Sequence, residues 1–247
     1  MTIAKPTFFE LFKQMMSSME DGYDSLAPKF DQSEYVTPKN IINPVIDHIK
    51  NNRGPFERGI DVCCGTGAAS SELVNLCDTG FTAFDLSQGM LDQCEKKIEH
   101  KKDDIQIQCI KGNALDLPFE NEYDVAVSFG AFGHILEADK AIFVRNINKC
   151  LKKGGEFYFV TTFTPGFFRW LYWRQIFFNW SMHIRNFFFK PKFIMYYLTF
   201  RLPEVEDLLK SEGFKVDLYT DVFSNNVDQT PYLIPTNEFV LVKATKE

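Results

Sequence analysis

Apolar positions along the chain recur at two periods, and the switching between them outlines an α/β protein. From Thr7 to Met19, Phe8, Phe9, Leu11, Phe12, Met15, Met16 and Met19 fall at helical spacing with a broad apolar face. Residues 22–28 read as a loop. A second helix is expected over 38–50, with Thr37 as N-cap and Pro38 at the first position, where a missing N–H costs nothing. Asn51-Asn52-Arg53-Gly54-Pro55 then breaks the chain. From there the periods alternate: a strand over 60–62, a helix from about Ala68 to Cys77, a strand over 80–85, and a helix capped by Ser87 that carries Met90, Leu91, Cys94 and Ile98 on one face. Strands over 105–110 and 123–128, a helix over 138–151 and a strand over 156–162 follow. Such alternation implies right-handed crossovers and a doubly wound, mostly parallel sheet with helices on both faces. The chain closes with a helix opened by Leu202-Pro203 and ended by Gly213. Strands over 214–223 and 238–244, separated by a polar, proline-containing loop and no helix, predict an antiparallel C-terminal edge pair.

One stretch departs from this pattern. Residues 167–200 are dense in phenylalanine and tyrosine and hold all three tryptophans, Trp170, Trp173 and Trp180. Their charges are Arg169, Arg174, Arg185, Lys190 and Lys192, with Arg201 just beyond, and no acid lies between Glu156 and Glu204. Thr164-Pro165 starts a helix and Lys190-Pro191 breaks it. The division that follows is an N-terminal helical cover at 1–57, a core formed by 58–163 and 202–247, and a helical, aromatic and basic insertion at 164–201.

Composition changes this picture in three respects. The 247 residues are 45% hydrophobic and suffice for one large domain with a full core. The formal charge of −6 gives no reason to expect nucleic acid as a partner, so the basic insertion is a local asymmetry. The six cysteines (Cys63, Cys64, Cys77, Cys94, Cys109 and Cys150) show no metal-ligand spacing and read as reduced thiols of a cytosolic protein. No run reaches the roughly 18 uncharged apolar residues of a membrane span, and charges interrupt the first 19 residues where a signal peptide would be apolar.

The chemistry starts at Asp61-Val62-Cys63-Cys64-Gly65-Thr66-Gly67, between the first strand and its helix. Glycine at two positions allows a sharp turn and close ligand approach, and the helix N-terminus behind it offers unpaired N–H groups. A dinucleotide fingerprint would place a third glycine where Ser70 stands, and Asp61 would repel a pyrophosphate. A cofactor carrying an ammonium or sulfonium is not repelled.

With this loop, Asp85 in Phe84-Asp85-Leu86-Ser87, the segment Gly112-Asn113-Ala114-Leu115-Asp116-Leu117-Pro118-Phe119, the strand Tyr123–Ser128 and Leu151-Lys152-Lys153-Gly154-Gly155-Glu156, the chain resembles the class I S-adenosylmethionine-dependent methyltransferases, more weakly their ubiquinone/menaquinone-biosynthesis type. The resemblance implies a Rossmann-like fold and S-adenosylmethionine as cofactor. It casts Tyr23, Asp61, Cys63, Gly65, Gly67, Asp85, Leu86, Met90, Asn113, Ala114 and Ser128 as cofactor-binding, with Asp85 on the ribose hydroxyls and Asn113 and Ala114 beside the adenine. Tyr23 is then a cover over the methionine part. Asparagine at 113, where the family more often has aspartate, leaves that contact open.

For the acceptor, the same resemblance makes the insertion a lid and points to Phe129, Phe132, Trp170, Trp173, Tyr196 and Tyr197 as its wall. His134 is the candidate general base, because its pKa suits proton transfer near neutrality. A lid, a membrane-facing surface and an oligomer interface all fit the aromatic run; tryptophan with arginine suits an apolar–anionic boundary. The expected activity is methyl transfer to a small, apolar or lipid-like acceptor by a cytoplasmic protein that can lie at a membrane surface. The alternatives are a catalytically silent S-adenosylmethionine-binding protein whose insertion docks a partner and, less favoured, an NAD-dependent oxidoreductase.

Overall fold

The computed structural model describes residues 4–99, 105–223 and 238–247. Three helices come first, α1 (Phe8–Met16), α2 (Met19–Phe30) and α3 (Lys39–Asn52). Alternation then begins: β1 (Phe56–Val62), a one-turn α4 (Ser70–Leu73), β2 (Cys77–Asp85), α5 (Gln88–Ile98), β3 (Gln106–Lys111), β4 (Tyr123–Ser128), α6 (Lys140–Cys150) and β5 (Leu151–Thr162). The aromatic stretch forms α7 (Trp170–Phe188), and the chain ends with α8 (Glu204–Ser211), β6 (Phe214–Tyr219) and β7 (Phe239–Lys246).

The strands form one seven-stranded sheet in the order β3-β2-β1-β4-β5-β7-β6. Neighbours from β3 to β5 are parallel, and β7 runs antiparallel to both β5 and β6. β7 is therefore an interior strand, and of the C-terminal pair only β6 lies at an edge. Alternate strand residues face opposite layers. Val125, Val127 and Tyr158 pack with Ile42, Val45 and Ile49 of α3 and Leu91, Cys94 and Ile98 of α5. On the other face Ala126, Phe157 and Phe159 pack with Phe143, Val144 and Ile147 of α6 and Val205 and Leu209 of α8.

Several local expectations change. The stretch over 22–28 is helical, not a loop: Ser18 caps α2 by accepting the Asp21 N–H, and Pro28 sits in the last turn. A Cβ on Gly22 would lie 2.9 Å from the Gln14 carbonyl oxygen, so this glycine permits close packing of α1 rather than a turn. Pro38, not Thr37, is the N-cap residue of α3, without a side-chain bond. The helix expected from Ala68 to Cys77 is one α-turn followed by a 3-10 turn, after which β2 starts at Cys77. The polar loop expected before β7 lies outside the described residues.

Candidate active site

The C-terminal ends of the parallel strands converge on one side of the sheet, where open α/β sheets bind ligands. After β1 the chain turns through residues 63–69. Gly65 has φ +53 and nothing within 4 Å of where a Cβ would be, so its face is open. Gly67 has φ +79, and a Cβ there would stand 2.5 Å from Cys94 Sγ. One glycine thus exposes backbone to a ligand, and the other lets the loop rest on α5. Asp85 fastens this loop: its Oδ2 accepts the Gly65 N–H at 2.8 Å and its Oδ1 the Ser87 N–H at 2.9 Å. The Ser87 hydroxyl caps α5 by accepting the Met90 N–H and donates to Asp24 of α2, whose same oxygen accepts the Gly89 N–H. The N-terminal helices are thereby latched to the cofactor side of the sheet.

A cavity of about 470 Å³ lies under α2, within the range of small-molecule sites. One side is lined by Asp61, Cys63, Gly65, Asp85, Leu86, Met90, Asn113 and Ala114, and the opposite side by Phe129, Phe132, His134, Tyr196 and Tyr197, with Tyr23 between. Four residues expected in the site do not line it. Gly67 is committed to its contact with Cys94. Ser128 is fully buried, and its hydroxyl has no hydrogen-bond partner among the described residues. Trp170 and Trp173 lie on the outer face of α7, 79% and 45% exposed. Asn113 uses its Oδ1 to accept the Leu115 N–H, which caps the short 3-10 turn over residues 114–116.

α7 is outward-facing because of two asparagines one heptad apart. Asn179 exchanges two hydrogen bonds with the Tyr197 backbone, and Asn186 does the same with Phe193. These amides act as a borrowed ladder for the return segment over 193–197, whose other side lines the cavity. Nothing in the spacing of aromatic residues announces this, since an inner face that mixes Leu171 and Met182 with Gln175, Arg185 and Asn186 departs from the usual amphipathic rule.

His134 and Tyr23, 111 residues apart, meet at 2.8 Å between Nε2 and the phenol oxygen. His134 Nδ1 stands 2.6 Å from the Ile194 carbonyl oxygen, which only accepts, so Nδ1 carries the proton and Nε2 accepts from the Tyr23 hydroxyl. Burial holds the His134 imidazole below its ordinary pKa, partly opposed by the Ile194 bond. Both ring nitrogens are engaged, so a proton from a ligand could reach Nε2 only by way of the Tyr23 hydroxyl.

Two features escape a reading of the sequence. Arg201 lines the cavity, is 9% exposed, and has no carboxylate partner among the described residues; burial pulls it down to about 10. Thr199, also lining the cavity, has a buried hydroxyl without a partner. A bare count of basic residues could not single out Arg201 from its five neighbours in the insertion.

On the opposite side the charge is negative. Burial pushes Asp61 up to about 7, against the Ser70 hydroxyl bond at 2.6 Å, and Asp85 adds repulsion. Burial also raises Asp85, against its backbone bonds. No cationic side chain among the described residues pairs with either, so a ligand bearing an ammonium and a sulfonium fits this side. Because the folded-state pKa of Asp61 is raised, ligand-free stability falls as pH rises through about 7, and a cation that needs the ionised form binds better over the same range. Calorimetry should show S-adenosylmethionine affinity climbing several-fold from about pH 6 to about pH 8, with Asp61→Asn flattening the climb; a flat wild-type profile would count against this assignment.

Residues 60–155 match the family model of a methyltransferase domain, which covers the cofactor side and stops before α7. The demethylmenaquinone methyltransferase of Bacillus licheniformis is 34% identical over 113 residues, 44% of this chain and 46% of that protein. That of Lactobacillus johnsonii is 27% identical over 155 residues, 60% and 62% of the two chains. The chain thus spans about half the length of these curated relatives. An S-adenosylmethionine-dependent methyltransferase structure from Methanosarcina mazei superposes with a TM-score of 0.61 at 18% identity, covering 81% of this chain and 96% of the other. The strand order, the Asp85-fastened loop and the matched segment agree: residues 60–155 form a methyltransferase domain, and the fold around them is that of the S-adenosylmethionine-dependent methyltransferases.

Proposed function

We propose that the protein transfers a methyl group from S-adenosylmethionine to an apolar small molecule that carries an anionic or ionisable oxygen. One observation supports this most: a single cavity joins an acidic, cofactor-type side to an aromatic side holding an unpaired, buried guanidinium. Burying an arginine without an acid is costly, so its natural complement is an oxyanion brought by the ligand. The relatives named for demethylmenaquinone methylation favour a ring-bearing apolar acceptor.

The bound cofactor supplies an already activated methyl group on a sulfonium. The chain's own residues have three tasks. Asp61 and Asp85 hold the cation and position its sugar. Phe129, Phe132, Tyr196 and Tyr197 seat the apolar body and exclude water, which contributes through alignment. Tyr23 and His134 remove the acceptor's proton: as it reaches the Tyr23 oxygen, the phenol proton moves to His134 Nε2. The return segment over 193–201 serves as the lid of this site.

Turnover assays with aromatic acids, phenols and neutral quinols test the reading. Arg201→Gln should raise KM for an anionic acceptor about 10- to 100-fold, the worth of a charge-assisted hydrogen bond, while leaving S-adenosylhomocysteine affinity unchanged. Binding of the cofactor without turnover on any acceptor would favour a silent cofactor-binding protein instead.

A further inference from the structure

α7 is inside out. Its buried side mixes Leu171 and Met182 with the polar Gln175, Arg185 and Asn186, and its solvent side holds Trp170, Trp173, Phe177, Trp180, Ile184 and Phe187. These outer residues recur at steps of three and four, which places them in one stripe along nearly the whole 19-residue helix. Phe168, in front of the helix, is 97% exposed, and Phe187 is 81% exposed. A large apolar stripe left in water marks an interaction surface.

The charges around the stripe select its occupant. Lys190 and Lys192 follow the helix, Arg169 and Arg174 flank its start, and the sequence has no acid from residue 157 to residue 203. Arg169 is paired with Glu238; both lysines are exposed. Two copies joined stripe to stripe would set these cations against one another with no acid of the segment to answer them. An anionic bilayer complements them, and tryptophan with phenylalanine on such a helix matches the belt of residues that settle at the headgroup boundary. No helix among the described residues is long and apolar enough to cross a membrane, so the contact is peripheral.

We propose that the outer face of α7 docks on an anionic lipid surface, with Trp170, Trp173, Trp180 and Phe187 inserted at the headgroup level and Lys190 and Lys192 on the phosphates. The Asn179 and Asn186 bonds place this docked helix directly over the segment that lines the cavity, so an apolar ligand taken from the bilayer would reach the site past α7. Docking itself does not depend on which reaction the cavity performs.

The three tryptophans make the test direct, because the protein's whole indole emission arises from this helix. The full chain is mixed with phosphatidylcholine vesicles, with and without phosphatidylglycerol, at low and high salt. Flotation with the anionic vesicles, a blue shift of emission and quenching by brominated acyl chains are expected, with weakening at high salt. Lys190→Ala with Lys192→Ala should lower vesicle affinity about 25-fold, about fivefold per charge. Trp170→Ala with Phe187→Ala should abolish the flotation while the circular dichroism melt stays at the wild-type temperature, because both side chains are exposed. No flotation with unshifted emission would overturn the proposal, as would a concentration-dependent dimer in sedimentation whose formation itself shifts the emission.

Discussion

Replacing Asp85 with alanine is expected to weaken S-adenosylhomocysteine binding by about a hundredfold or more. Two effects add. The carboxylate holds the Gly65 and Ser87 N–H groups at once, and losing it leaves two backbone donors unanswered, each costing about 1–3 kcal/mol. Asp85 also lines the cavity, where lone pairs not used by the backbone would be the acceptors for a ligand's vicinal hydroxyls. Asp85→Asn keeps one acceptor oxygen and should fall between wild type and alanine. Burial already disfavours the ionised carboxyl, so alanine relieves part of its own cost in the free protein. The ligand-free melting temperature should therefore move less than the affinity. Calorimetry and thermal melts read the two quantities separately, and unchanged affinity would remove Asp85 from the cofactor site.

For an acceptor that must lose a proton, His134→Ala is expected to lower kcat by roughly 10²- to 10⁴-fold, the usual worth of general base catalysis. Tyr23→Phe should cost a similar factor, and the double variant little more than either single one, because one proton path runs through both side chains. Cofactor affinity should stay within a few-fold for His134→Ala. The pH profile carries the sign: burial disfavours the imidazolium, so the basic form persists to lower pH, and kcat should rise with pH through a point below the ordinary 6.5. Losses that multiply in the double variant, or a rise centred above that value, would mean that the pair is structural.

Much of the cofactor side is legible in the sequence because it is local. Asp61, Gly65 and Asp85 sit at strand ends whose periodicity marks them, and the positive φ of Gly65 and Gly67 favours glycine, although Cys63 takes φ +60 in the same turn. At Ser128 the cavity lining and the expectation differ by one residue: strand positions alternate between faces, and Phe129 lines the cavity while Ser128 does not. Residues 22–28 mislead for a related reason, since a glycine that spares room for a neighbouring helix and a glycine that makes a turn look identical in one dimension.

The acceptor side was mostly decided in three dimensions. The sequence placed Trp170, Trp173 and Phe177 in one helical, aromatic insertion and cast the two tryptophans as acceptor wall. It could not say that these three side chains point outward, which depends on Asn179 and Asn186 finding the backbone of residues 193 and 197. Nor could it bring Tyr23 against His134 or bury Arg201, whose place is held by the Phe163–Leu202 bridge at the end of β5. The sequence by itself determined a parallel sheet with a glycine turn and two acids for a cationic cofactor, since each is a short-range consequence of backbone sterics and patterning. Tertiary structure alone decided which aromatic residues enclose the acceptor and which are left facing outward, since burying one face of a helix is a competition among distant partners.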